Sequence, residues 1–152
     1  MRSQLLASLA LTSFGVIAAQ PAAKDDSRWD GPRLKQCLTD LGYEPKELSA
    51  DKKWEVKVTT EKFNIPVSTE LSTSGNYIWL TAFLGAAPTD ETAGKLLRRN
   101  FKIQPSQFYV TDKGNLLIGL ACENRAMSNA IMRKALDKLC GDVASSSEDW
   151  SK

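Results

Sequence analysis

The chain has 152 residues, with 20 Lys and Arg against 18 Asp and Glu and no histidine. Without imidazole, triad hydrolases and His-based zinc sites are excluded, since histidine is the general base of the first and the commonest ligand of the second. So even a charge balance gives no electrostatic reason to expect nucleic acid as a partner, and the length suits one domain around one core.

Met1 to Gln4 carries the charge of Arg2 and the terminal amine, and Leu5 to Ala19 is uncharged and mostly apolar. That is the order of a secretory signal peptide. Cleavage after Ala18 or Ala19 suits a peptidase pocket for small side chains, and the boundary is set at Ala19, so that 1–19 is the signal. The run is broken by Ser8, Thr12, Ser13 and Gly15. It falls short of the roughly 20 apolar residues of a membrane span. The mature protein is therefore expected to be exported, periplasmic or extracellular, with no stable membrane insertion. Residues 20–30 are small, charged and aperiodic, which predicts a flexible leader.

Pro32 suits the first turn of a helix, and Leu34, Cys37, Leu38 and Leu41 recur at helical spacing until Gly42. Trp54, Val56, Val58 and Thr60 alternate with polar residues as a half-buried strand, and Phe63, Ile65, Val67 and Leu71 do the same after a short link. The two form an antiparallel hairpin, in which Pro66 predicts a strained or locally unpaired second strand. The next strand, Tyr77 to Leu84, is bulky on both parities, with Ile78, Leu80 and Leu84 on one and Tyr77, Trp79 and Phe83 on the other. It is expected to be covered on both sides.

Thr89 is placed to cap a second helix, with Asp90 and Glu91 in its first turn and Lys95, Arg98 and Arg99 nearer its end, matching the helix dipole. A second hairpin runs from Gln107 to Thr111 and from Asn115 to Glu123 across Asp112-Lys113-Gly114. Asn124 is read as the start of a last helix with the stripe Met132, Ala135, Leu136, Leu139 and Val143. Residues 144–152 are serine-rich and acidic, predicting a disordered tail. The reading is thus a single domain over 31–143, of order α-β-β-β-α-β-β-α: an α+β fold of an antiparallel sheet with helices mainly on one face.

Three cysteines, Cys37, Cys122 and Cys140, allow at most one internal bridge. Cys37 and Cys122 sit at core parities, and Cys140 lies near the edge of its stripe, so a bridge from Cys140 to Cys37 or Cys122 stands beside the alternative of buried free thiols. Cys37 with Cys140 is the candidate pair.

The element order and two local stretches resemble the type III secretion chaperone-like fold, including its YbjN-like bacterial relatives. Leu96-Leu97-Arg98-Arg99-Asn100-Phe101 is similar to the "LL..N" that precedes the second hairpin there, and Phe108 to Leu116 is similar to the strand, glycine turn and strand that follow. The resemblance covers about Pro32 to Asp142. It implies a non-enzymatic protein that dimerises and holds extended polypeptide on exposed apolar surface. Chaperones of this fold work in the cytoplasm and are usually acidic, so an exported, near-neutral chain departs from effector delivery while keeping a binding or scaffold role.

The candidate partner or dimer surface is the outward parity of the third strand, Tyr77, Trp79 and Phe83, joined by Tyr109 and Leu117 if the hairpins share a sheet. The alternative is that helix two or a loop covers these residues. Partners are expected to be protein or peptide, including a second copy, with no cofactor and no metal. Two further readings are a structural domain of an envelope assembly and a small hydrolase using the carboxylate pairs Asp90 with Glu91 or Glu61 with Glu70. Acids at a helix start serve more simply as cap and dipole partners. Cys122 lacks any histidine to activate it as a nucleophile.

Overall fold

Trp29 is the first buried core residue in the computed structural model, which describes residues 27–151. The signal peptide and residues 20–26 of the leader lie outside the described residues. The expectation of flexibility through residue 30 fails at its last two positions: Trp29 is buried, and the Asp30 side chain accepts from the Arg33 N–H to cap helix α1 (Gly31–Asp40). An indole gives up too much apolar area in water to remain outside a core that has room for it. Gly31 is required by space: a Cβ there would sit 1.9 Å from the Asp51 carbonyl oxygen.

The predicted hairpin is β2 (Lys53–Thr59) with β3 (Asn64–Leu71), followed by β4 (Tyr77–Ala86). A short strand absent from the expected order, β1 (Lys46–Ser49), pairs with β2 at the sheet edge; all four of its residues are exposed, so it carries no burial alternation to betray it. The second hairpin is β5 (Gln107–Val110) with β6 (Asn115–Glu123). The six strands lie in the order β1-β2-β3-β4-β6-β5, with antiparallel neighbours. Pro66 keeps its register opposite Lys57, and it lies beyond Val67↔Ala82, where pairing of β3 with β4 ends. A residue without an N–H is tolerated there because no second neighbour asks for one.

Helix α2 (Asp90–Ile103) starts at the predicted cap, Thr89 accepting from the Thr92 N–H. The last helix, α3 (Asn129–Ser145), is capped by Ser128, not by Asn124. Asn124 instead ends β6 with its amide turned inward. The predicted stripe holds: Met132, Leu136, Leu139 and Val143 are fully buried, with Ala135 nearly so. Helices α1 and α3 pack on one face of the sheet against Trp54, Val56, Val67, Ile78, Leu80 and Ile118, which together form the core. Leu41 and Tyr43 receive Arg133 from α3, whose guanidinium donates to the Leu41 carbonyl and to the Tyr43 hydroxyl.

Most of the tail predicted disordered, 144–152, is helical: α3 continues through Ser145 and, after a turn at Ser146, a one-turn helix α4 (Ser147–Trp150) follows. Composition misleads here because two long-range contacts and one local hydrogen bond fix the segment. Asp149 accepts from Arg99 Nε at 2.7 Å, the Trp150 indole N–H donates to the Val143 carbonyl at 2.9 Å, and the Trp150 ring meets Phe63 at 5.6 Å between centroids. The Cys37–Cys140 bridge is not formed; Cys37, Cys122 and Cys140 are all free thiols. Burial pushes the Cys37 thiol up to about 11 and the Cys140 thiol up to about 12, which keeps both protonated in the core.

Candidate functional site: the open face of the sheet

The helices cover one face and leave the other bare. Tyr77, Trp79 and Phe83 alternate along β4 with the buried Ile78, Leu80 and Ala82, so the pleat turns them to the uncovered side. They are 48%, 44% and 59% exposed. The expectation that this strand is covered on both sides therefore fails within the chain. Helix α2 does not lie over this face, because it is tied to the β5 edge; from the loop that follows it, Pro105 reaches the hollow beside Trp79 and Tyr109 without burying their rings. Asn100 donates from Nδ2 to the Phe108 carbonyl at 3.1 Å, and its Oδ1 accepts the Phe108 N–H at 2.7 Å. That pair of bonds takes up the outward backbone groups of Phe108 on edge strand β5 and gives the asparagine of the "LL..N" stretch a structural task.

Register assembles the rest of the surface in rows. Phe83 faces Leu117 on β6, and Leu117 faces Tyr109 on β5, so the predicted five residues do share one face. A second row runs Ser68, Thr81, Gly119 and Gln107, and a third runs Glu70, Trp79 and Ala121. The Tyr109 ring lies over Gly119, where a Cβ would meet Tyr109 Cε1 at 3.0 Å. Small floor residues between large rings make two hollows. One of about 160 Å³ has Trp79 and Tyr109 as walls with Gly119 and Ala121 below; a wider groove of about 670 Å³ runs past Leu117, Thr81 and Glu70. Glu70 pairs with Lys53 at 2.9 Å on the rim. Burial, and then the Glu70 charge, push the Tyr109 phenol above its ordinary value, so the ring stays neutral.

The carboxylate pairs are not brought together into a site. Asp90 and Glu91 open α2, and Glu91 pairs with Lys95 at 2.7 Å. Glu61 lies in the turn before β3, while Glu70 lies near the far end of that strand. Cys122 is half-buried, and burial pushes its thiol up, away from the thiolate a nucleophile needs. Among the described residues, no cluster of three or more His, Cys, Asp or Glu is arranged to hold a metal, and no helix is long and apolar enough to cross a membrane.

Sequence reasoning missed a second apolar surface. On α2, Leu96 is buried, but Leu97 and Phe101 are 73% and 82% exposed, and Val110 of β5 is exposed beside them. A groove of about 100 Å³ lies between Leu97, Pro88 and Val110. The signal was present: Phe101 falls off the buried stripe of Leu96 and Ile103, which marks it as an outward apolar residue.

No protein-family model matches the chain, and no curated protein matches it. Among solved structures it is similar to a chain of the heterodimeric ExoU–SpcU complex from the type III secretion system of Pseudomonas aeruginosa, with 14% identity, a TM-score of 0.56, and coverage of 77% of this chain and 97% of that one. It is likewise similar to a chain of the HopA1–SchA chaperone–effector complex (9%, TM-score 0.54, 74% and 88% covered). A third similarity is to the Yersinia pestis type III secretion chaperone SycH in complex with a stable fragment of YscM2 (17%, TM-score 0.50, 74% and 94% covered). The chain thus has the type III secretion chaperone-like fold that the sequence resembles. At these identities the likeness is one of fold.

Proposed function

We propose that this protein is an exported, non-enzymatic binding module that holds apolar segments of partner polypeptides on the open face of its sheet. The observation that carries the reading is the row of rings Tyr77, Trp79, Phe83 and Tyr109, left in solvent beside two hollows of side-chain size. Contiguous apolar surface of this kind is seldom kept without a use. The similar structures are of chaperones with protein partners, which supports a protein ligand. Export rests on the order of charge and apolar residues in 1–19.

The test is capture of apolar peptides on an array by residues 20–152, with Trp79→Ser and Phe83→Ser as the variants. Expected is a several-fold loss of capture with unchanged circular dichroism. Capture undiminished in the double variant would remove the face from the function.

Self-association is supported by a separate observation, the exposed Leu97 and Phe101 on α2. A dimer through that patch leaves the open face free for partners. Phe101→Ser is expected to shift the protein from dimer to monomer in light scattering, and a wild type monomeric at high concentration refutes it.

A further inference from the structure

The described chain begins at the rim of the open face, where the start of β4 meets the end of β6. Asn124 fixes that point: the Trp29 N–H donates to its Oδ1 at 3.0 Å, and its Nδ2 donates to the Trp29 carbonyl at 2.8 Å and to the Gly75 carbonyl at 3.0 Å. One residue upstream, Arg28 lines a hollow with Asn76, Tyr77 and Glu123. Tyr77 and Glu123 are cross-strand partners and share the parity of Trp79 and Phe83. The chain before Ser27 therefore departs from the rim of the aromatic face.

What lies upstream suits that face. The run Leu5 to Ala19 is uncharged and includes Leu9, Leu11, Phe14, Val16 and Ile17. The intervening residues 20–26 reach at most about 24 Å when extended. From Tyr77 to Phe83 the strand covers about 20 Å, and the apolar run wound as a helix is about 22 Å long. Tether and segment thus both match the surface. A segment on so short a tether competes at an effective concentration on the order of millimolar. A second copy at micromolar concentration cannot match that.

We propose that in a chain retaining residues 1–19 the run Leu5–Ala19 docks on the open face, across Trp79, Phe83, Leu117 and Tyr109, and that removing the run uncovers it. This rests on the reading of that face as the partner-binding surface. The signal then occupies its own protein's binding site, and partner capture begins only after cleavage.

The test uses residues 1–152 made by cell-free synthesis without membranes, with benzoylphenylalanine in place of Leu11. Illumination is expected to give cross-links within one chain, mapped by mass spectrometry to peptides holding Trp79, Phe83 or Tyr109. Residues 1–152 should also bind the dye bis-ANS several-fold less than residues 20–152, which include every residue described. Trp79→Ser with Phe83→Ser should lower the intrachain cross-link yield several-fold. Cross-links only between chains, or only to the helical side, overturn the proposal, as does equal dye binding by the two lengths. Equal peptide capture by 1–152 and 20–152 refutes the docking and leaves the binding function standing. Intrachain cross-links with no capture by 20–152 refute the function and leave the docking.

Discussion

On strand β4, Ile78, Leu80 and Ala82 are wholly buried, while Tyr77, Trp79 and Phe83, each one residue away, keep between 44% and 59% of their surface in solvent. Hydropathy alone does not separate the two sets. The difference lies in what packs above each face. Helices α1 and α3 bring Leu34, Leu38, Met132, Leu136 and Leu139 to one side. Helix α2, the remaining long helix among those described, is held at the β5 edge by Asn100 and covers neither ring nor hollow on the other. An apolar strand face is therefore core only where an element is available to cover it.

Leu80→Ala is expected to give the largest effect, a loss of about 2 to 5 kcal/mol in urea unfolding, because it opens a cavity in a fully packed layer. If it cost no more than the open-face variants, the comparison would collapse.

Alkaline pH should next single out the covered side. The ordinary thiol value is 9.0, and burial raises Cys37 to about 11. Cys140 rises to about 12. Above about pH 9 the unfolded chain releases these protons while the folded chain keeps them, so the unfolded state binds fewer and stability falls as pH rises. Below that pH the contribution is complete. Melting temperature should therefore drop from about pH 9 to about pH 11, and Cys37→Ala should show a shallower drop; an identical slope would reject the assignment.

A smaller effect is expected from Asp149→Asn, which breaks the ion pair with Arg99 at 2.6 Å. Both side chains keep some solvent, so the loss should stay below about 1 kcal/mol. Hydrogen exchange should quicken in α4 and leave α3 protected. Unchanged exchange would mean that Trp150 alone holds the segment.

The smallest change in stability belongs to the open face. Phe83→Ser should alter unfolding by no more than about 0.5 kcal/mol, although it removes a large apolar side chain. A loss as large as that of Leu80→Ala would show that the ring is core, and that a partner or second copy is needed to keep the fold intact.

The caps and stripes are legible in the sequence. Thr89 starts α2 because its hydroxyl and the acids after it satisfy a helix start locally. Met132, Leu136, Leu139 and Val143 recur at a period that only a helix places on one side. The parity of β4 separates Trp79 from Leu80, and the hairpin turn brings Leu117 opposite Tyr109, so the five candidate residues can be grouped. Each of these follows from neighbours within a few positions.

Other features depend on contacts between distant parts of the chain. Asn124 reads as a helix start, yet its amide joins Trp29, 95 residues away in sequence, to the end of β6. The serine-rich tail reads as disorder, yet Asp149 finds Arg99 at a separation of 50. Two cysteines that read as a candidate bridge are separate buried thiols. The bulky parity of β4 reads as covered on both sides, and it is open on one. The sequence by itself determined which residues share a face, since that depends on backbone periodicity. Only the tertiary structure decided which face is covered, since that depends on where distant helices and termini can reach.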